Sequence, residues 1–184
     1  MRDSITIRCV CADDDLVELT EVIHLAYAKR ASNNLRYWAT FQSVEDTAHR
    51  LQSGQGFVAE SKGRFIGTLT VRPPAPNSQV AVYQSLDTWT ICQFAVHPDF
   101  QGHGIGRSLH NAAADYARSK GGQVLALDTA QPATELIEMY IRWGYKIVGE
   151  ADWRPQTNYM SVVMSCPISE LKGDRNDWEN NLFG

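Results

Sequence analysis

Residues 96–109 of this 184-residue chain read Val-His-Pro-Asp-Phe-Gln-Gly-His-Gly-Ile-Gly-Arg-Ser-Leu, and this stretch decides the fold. The segment before it, residues 90–96, is apolar and predicts a strand. The segment after it has apolar side chains at helical spacing and predicts an amphipathic helix. The buried face of that helix would consist of Leu109, Ala112, Ala113, Tyr116 and Ala117. The sequence therefore predicts a strand, a glycine-rich turn and a helix in direct succession.

A turn of this kind is suited to binding an anion. The first backbone N–H groups of a helix have no partner within the helix, and the helix dipole places partial positive charge at the same end. Gly102, Gly104 and Gly106 let the backbone reach positive φ and let a ligand approach without a Cβ in the way. We therefore expect the turn to hold a phosphate or pyrophosphate.

Three types of phosphate-binding turn compete for this pattern. A Walker A loop requires Gly-Lys followed by Ser or Thr, and the chain has no Gly-Lys pair. A Rossmann fingerprint fails as well, because its third glycine is absent whether the pattern starts at Gly102 or Gly104. The pattern that fits is Gln-x-x-Gly-x-Gly, read as Gln101, Gly104 and Gly106. It resembles the acetyl-coenzyme A (acetyl-CoA) loop of the GNAT superfamily of N-acetyltransferases.

The order of predicted elements also resembles that family. A strand and a helix are followed by a hairpin at residues 56–71 and then by strand–helix–strand units up to residue 164. We predict an α/β domain with a mixed, α+β type of sheet and helices on both faces, the GNAT-like acyl-CoA N-acyltransferase fold. This single domain would occupy residues 1–166. Residues 167–184 would form a C-terminal tail that could dock through Trp178, Leu182 and Phe183.

Composition argues against several other classes of protein. The net charge of −4 does not suit a nucleic-acid-binding surface over the whole domain. We also expect no membrane association, since no apolar run reaches the length of a membrane span and the start lacks the apolar segment of a signal peptide. The cysteines have no zinc-type spacing, so we expect no metal and reduced thiols in a cytoplasmic protein. They are Cys9, Cys11, Cys92 and Cys166.

A second stretch, residues 135–145, resembles the late helix of the family, where a tyrosine is followed four residues later by glycine and then by an aromatic residue. Tyr140 occupies the matching position. The resemblance implies that Tyr140 points at the thioester sulfur and acts as general acid to the leaving thiolate. From the residues alone, Tyr140 could instead pack in an apolar stripe with Leu136 and Ile137.

The acceptor amine must lose a proton before it can react, because an ammonium has no lone pair for attack. Deprotonating an alkyl ammonium of pKa ~10.4 at neutral pH costs roughly 4–5 kcal/mol. Family members often place a glutamate base on the central strand, but the matching residue here is Thr90. We consider Asp87 or Asp128 as the base, with His97 a weaker candidate.

The resemblance implies two sets of binding residues. Backbone groups of the central strand would pair with the pantetheine arm and thioester, and the loop and helix start would hold the pyrophosphate. This cofactor-binding set is Phe94, Ala95, Val96, Gln101, Gly102, His103, Gly104, Ile105, Gly106, Arg107 and Ser108. The acceptor, a small-molecule or peptide amine, would contact aromatic residues of the first helices and the last loop. That set is Tyr27, Tyr37, Trp38 and Trp153.

We therefore predict an N-acetyltransferase that moves the acetyl group of acetyl-CoA to a primary amine by direct attack in a ternary complex. Cys92 as an acylated nucleophile is less favoured, because its strand position is packed. The alternative is a non-catalytic sensor or regulatory module that binds coenzyme A, which Thr90 favours and Tyr140 opposes. Because many members of the family pair, a homodimer is also considered.

Overall fold

The computed structural model describes residues 4–31 and 33–172, and in these residues a single seven-stranded sheet carries the fold. The strand order is β1-β2-β3-β4-β5-β7-β6. Neighbouring strands are antiparallel except β4 and β5, which are parallel. The strands are β1 (Ile5–Cys9), β2 (Gln55–Ser61), β3 (Arg64–Arg72), β4 (Thr88–Val96), β5 (Val124–Ala130), β6 (Lys146–Asp152) and β7 (Met160–Pro167). The mixed sheet predicted from the sequence is confirmed.

Four α-helices lie within the same described residues. They are α1 (Leu16–Ala31), α2 (Val44–Gln52), α3 (Ile105–Ser119) and α4 (Thr134–Arg142). The Asp15 carboxylate accepts the first free N–H groups of α1, at 2.9 and 3.1 Å. Helix α2 starts with a capping box, in which Ser43 and Asp46 each bond the other's backbone N–H.

The helices cover both faces of the sheet, as predicted. One face carries the main core, in which α3 and α4 pack on the central strands through Leu109, Ala113 and Tyr140. On the other face, Leu19 and Val22 of α1 pack against Val58 and Phe65 of β2 and β3. Burial on both faces suits the apolar sequence of β5 and fixes the register of the central strands.

Two segments have structure beyond the elements predicted from the sequence. Residues Ala81–Gln84, between the proline-rich loop at residues 73–78 and β4, form a 3-10 turn that buries Tyr83. Beyond residue 166, Ile168 is buried in the main core and the Lys172 N–H donates to the Trp143 carbonyl at 3.0 Å. The predicted docking residues Trp178, Leu182 and Phe183 lie outside the described residues. No helix in the described part of the chain combines the length and the apolar character that crossing a membrane requires.

Candidate functional site

Strands β4 and β5 separate near the middle of the sheet. They pair only over Thr88–Thr90 and Val124–Ala126. Farther along, β4 pairs with β3 alone and β5 pairs with β7 alone. The sheet therefore opens at the carboxyl ends of its two parallel strands, which is where open sheets bind ligands.

A β-bulge lies in β4 at this opening. Thr70 of β3 is opposite Cys92 and Thr68 is opposite Ala95, so Gln93 and Phe94 together face a single residue of β3. Gln93 has a φ of 51°, a left-handed conformation that is uncommon for residues other than glycine. The bulge turns the second half of β4 away from β5.

The peptide groups of Phe94 and Val96 face the opening. The His97 N–H donates to a β3 carbonyl at 2.8 Å, and the alternation along the strand turns the intervening peptides to the other side. The Phe94 carbonyl accepts the Tyr27 hydroxyl at 2.9 Å, and the Val96 carbonyl accepts the Gln101 amide at 3.0 Å. By the same alternation, the N–H groups of these two residues are directed away from β3.

The glycine loop leads from β4 into α3. Gly104 is the residue that precedes the helix, with a φ of 80°, and Gly102 has a φ of 78°. A Cβ added at either glycine would meet no atom of the described residues within 4 Å, so the space above the loop is open. The Ser108 N–H bonds back to the Gly104 carbonyl at 3.0 Å, and the N–H groups that precede it lie at the positive end of α3.

The remaining predicted cofactor residues have different surroundings. The Arg107 guanidinium lies 4.8 Å from the centre of the Trp143 ring, a cation–π contact. His103 is exposed on the loop. Ala95 pairs with Thr68 of β3, and its side chain is buried on the α1 side. Because its peptide faces away from the opening, we do not retain Ala95 as a cofactor contact.

A cavity of about 550 Å³ occupies the opening. Its walls come from α1, α2, the three central strands, α4 and the turn before β7. It brings together residues that the sequence analysis assigned to separate roles. They are Tyr27, Tyr37, Trp38 and Trp153 from the acceptor set, Phe94 from the cofactor set, and Tyr140 and Asp128.

Tyr140 is both a core residue and a cavity residue. Its side chain is 6% exposed, and its ring makes edge-on contacts with Trp143 at 5.7 Å and Tyr145 at 5.6 Å between ring centroids. The same residue borders the cavity. The two interpretations of Tyr140 therefore do not compete, because the packing fixes the ring at the cavity wall.

Of the three candidate bases, Asp128 is the one that borders the cavity. Its carboxylate accepts the Tyr83 hydroxyl at 2.9 Å and the Trp153 indole N–H at 2.8 Å. Burial, and then the charge of Asp128, raises the pKa of Tyr83, so its hydroxyl stays a neutral donor. Asp87 lies before β4 and accepts the Ser85 hydroxyl at 2.6 Å, outside the cavity. His97 caps the turn that follows β4 and is also outside it.

Several residues of the cavity were not predicted from the sequence. Tyr83 follows the proline-rich loop, Gln93 belongs to the bulge, and Arg50 and Arg72 lie at the ends of α2 and β3. No local motif marks the arginines, since each has an ordinary place in its own element. The one usable signal in the sequence is an aromatic residue shortly after a proline-rich loop, which could have indicated Tyr83.

Comparison with known proteins identifies the family. The model of the acetyltransferase (GNAT) family matches residues 17–145. The S-(2-succino)cysteine N-acetyltransferase of Bacillus subtilis (strain 168) is 30% identical over 145 residues, which cover 78% of this chain and 86% of that protein. The predicted family resemblance is thereby confirmed over most of the chain.

Solved structures share the fold at lower identity. The ribosomal-protein-S18-alanine N-acetyltransferase from Escherichia coli superimposes with a TM-score of 0.68 at 19% identity, covering 95% of this chain and 99% of that one. A GNAT family acetyltransferase from Elizabethkingia anophelis with acetyl-CoA bound gives 0.65 at 20% identity, covering 90% and 99%. The chain belongs to the acetyltransferase (GNAT) family and is an acetyl-CoA-dependent N-acetyltransferase.

Proposed function

We propose that acetyl transfer takes place in the cavity between β4 and β5, by direct attack of a primary amine on the thioester in a ternary complex. The observation that carries this proposal is that Phe94, Tyr140 and Asp128 border one cavity, and that Phe94 lies on the strand that leads into the glycine loop. A route for the cofactor, a proton donor and a proton acceptor therefore meet in one place.

In this proposal the glycine loop and the start of α3 hold the pyrophosphate of acetyl-CoA. The open space above Gly102 and Gly104 leaves room for it, and the N–H groups at the helix start supply the donors. The N–H groups of Phe94 and Val96 bond the pantetheine arm and the thioester carbonyl oxygen. Donors fixed at that oxygen stabilise the negative charge that develops on it during attack.

The proton movements involve Asp128 and Tyr140. The acceptor ammonium loses one proton to Asp128, directly or through water, and the neutral amine then forms a bond to the acetyl carbon. The carbon–sulfur bond breaks, and the Tyr140 hydroxyl gives a proton to the departing thiolate. The second amine proton returns to Tyr140 through water, and Asp128 releases its proton to solvent. The products are an N-acetylated amine and coenzyme A, with no acyl-enzyme between them.

The test is a steady-state assay of coenzyme A release, with the acetylated product identified by mass. The first acceptor to try is S-(2-succino)cysteine, the compound in the name of the Bacillus subtilis relative. Varying both substrates should give intersecting lines in a double-reciprocal plot, and Cys92→Ser should keep its turnover. Parallel lines, together with loss of turnover in Cys92→Ser, would establish an acyl-enzyme route instead.

Asp128→Asn tests the base. The amide keeps the size of the side chain but accepts protons poorly, so we expect a fall in kcat of about 10²-fold or more. The matched control is Asp87→Asn, which changes a carboxylate outside the cavity. Equal activity of the two variants would remove Asp128 from the mechanism.

We also infer a cytoplasmic location. Support comes from Cys9, Cys11, Cys92 and Cys166, which are all free thiols in the structure, two of them exposed. Free exposed thiols suit a reducing compartment. Cell fractionation with an antibody to the chain tests this, and recovery in a secreted fraction would contradict it.

A further inference from the structure

Two arginines, Arg50 and Arg72, border the cavity. Arg50 lies in the last turn of α2 and Arg72 ends β3. The Arg72 Nε donates to the Ser53 hydroxyl oxygen at 2.7 Å, and the Ser53 hydroxyl donates to the Arg50 carbonyl at 2.6 Å. Ser53 thus joins the helix end to the strand end and holds the Arg72 guanidinium, while the Arg50 Nη1 donates to the Gln42 Oε1 at 3.3 Å.

Neither arginine has a carboxylate partner. Among the residues that the structure describes, no acidic side chain forms an ion pair with Arg50 or Arg72. Asp46 lies one turn before Arg50, but its carboxylate accepts the Ser43 N–H at 2.8 Å in the capping box. A partly buried cation without a counter-charge is costly, and a bound anion would relieve that cost.

The same wall has further hydrogen-bond donors without acceptors. Arg50 Nε is buried and has no hydrogen-bond partner in the described part of the chain. Gln93, at the bulge, is 3% exposed, and its Oε1 accepts the Gln42 amide at 3.0 Å. Its own Nε2 is buried with no partner among the described residues. Buried donors of this kind need an acceptor to offset their lost hydration.

Thr90, at the position of the family's glutamate, explains why Arg72 has no carboxylate beside it. Thr90 is directly opposite Arg72 in the β3–β4 ladder, so both side chains lie on the same face. A glutamate at position 90 would place its carboxylate beside the Arg72 guanidinium and neutralise it. With threonine there, the charge of Arg72 is left for a ligand.

Asp128 lies on the other side of the cavity from this wall. Thr90 is opposite Ala126 in the β4–β5 pairing, two residues before Asp128. Two strand spacings therefore separate Arg72 from β5, roughly 10 Å between backbones. Arg72 and Asp128 both border the same cavity of about 550 Å³.

We propose that the acceptor is an amine that also carries a carboxylate, bound with its carboxylate on Arg50, Arg72 and the Gln93 amide and its amine toward Asp128. This proposal rests on the proposed function of the same cavity and adds the substrate class. Guanidinium groups bind carboxylates in two-pronged, charge-assisted hydrogen bonds, which fixes the direction of the acceptor as well as its affinity.

The experiment compares free acids with their methyl esters. The acceptors are the common amino acids and S-carboxymethylcysteine in both forms, with phenethylamine and spermidine as amines without a carboxylate. The wild type should use its best free acid with a kcat/KM at least about 10-fold above that of the ester, because a charge-assisted contact is lost in the ester. Equal or better use of the esters and of the carboxylate-free amines would overturn the substrate class and leave the proposed function standing.

Variants then test which residues cause the preference for the free acid over its ester. In Arg50→Gln and Arg72→Gln, the acid-to-ester ratio should fall by about 10-fold or more. Thr90→Glu should lower the same ratio by pairing with Arg72. Arg64→Gln is the matched control, since Arg64 is at the other end of β3, 2.7 Å from Glu18 and outside the cavity. An unchanged ratio in both arginine variants would overturn the assignment.

A binding measurement separates this proposal from the proposed function. The full chain saturated with coenzyme A is melted with N-acetyl amino acids and with their methyl esters. Stabilisation by the acids alone, lost in Arg72→Gln, supports the anion-binding wall even if no acceptor is turned over. No stabilisation by any acid, together with turnover of neutral amines, would overturn it.

Discussion

The two halves of the cavity are built in different ways. The proposed cofactor half is a run of consecutive residues, in which β4, the glycine loop and the start of α3 would present backbone N–H groups to the ligand. The acceptor half consists of side chains from α1, α2, β3, β5 and the turn before β7. A site made from backbone depends on local conformation, whereas a site made from side chains depends on how distant elements meet.

The largest expected effect is at Tyr140, where the two halves meet. Tyr140→Phe should lower kcat by roughly 10²-fold or more while leaving acetyl-CoA affinity nearly unchanged, because only the proton donor is lost. The measurements are kcat and the Kd of acetyl-CoA. Tyr116→Phe removes a hydroxyl from α3, outside the cavity, and should be silent. A Tyr140→Phe enzyme as fast as wild type would show that another group protonates the thiolate.

The next largest effect should be confined to the cofactor half. Gly104→Val forces a β-branched residue into a φ of 80° and fills the space above the loop. The stabilisation by excess acetyl-CoA, about 2.7 kcal/mol at 100 times Kd, should disappear from thermal unfolding.

Gly63→Val is the control for Gly104→Val. Gly63 has a φ of 71° in the β2–β3 turn, and a Cβ there also meets no described atom within 4 Å. It should lower the melting temperature of the free protein by a similar amount and keep the shift with acetyl-CoA. A full shift in Gly104→Val would place the pyrophosphate elsewhere.

A smaller effect comes from a buried histidine of α3. Burial, followed by the charge of Arg107, lowers the pKa of His110 to about 3, and its Nε2 lies 2.7 Å from the Tyr145 hydroxyl. The unfolded chain takes up a proton near pH 6.5 and the folded chain does not until about pH 3. The free energy of unfolding should therefore fall as pH drops through this window, by up to about 1.4 kcal/mol per pH unit.

His110→Gln should flatten that slope in urea unfolding at pH 6 and pH 4. The exposed His103→Gln is its control. An identical slope in His110→Gln and wild type would mean that the ring is not buried neutral.

The smallest effect concerns Tyr27, which serves both halves. Tyr27→Phe removes the 2.9 Å hydrogen bond to the Phe94 carbonyl, worth about 1 kcal/mol. The KM values of acetyl-CoA and of the acceptor should therefore both rise by about 5-fold. Tyr159→Phe, in the aromatic wall 5.1 Å from Tyr37, should change the acceptor KM alone. A change confined to one substrate in Tyr27→Phe would show that the halves act independently.

The contrast between the halves also explains what the sequence could predict. The strand, the loop and α3 were predicted because the glycines and the helical spacing at 109–117 act over a few residues. The apolar stripe of α4, with Leu136 and Ile137 packed on the core, follows from the same kind of spacing. Local rules were sufficient wherever the structure is local.

The acceptor wall could not be predicted in that way. Arg50 and Arg72 are joined through Ser53 only after α2 packs beside the end of β3. The left-handed φ of Gln93 is set by the bulge and not by any preference of glutamine. Asp87 and Asp128 were equal candidates in the sequence, and the separation of β4 from β5 is what placed one of them in the cavity.

The hydrogen bond from Tyr27 to Phe94 has a consequence for how such an enzyme could change its substrate over evolution. Most acceptor residues, such as Trp38 and Trp153, can be exchanged without touching the strand that receives the cofactor. Tyr27 cannot be exchanged in this way, because its hydroxyl donates to the carbonyl of Phe94, on the strand that would bond the thioester. Selection for a new acceptor would therefore alter the surrounding walls first and leave position 27 as the inherited residue.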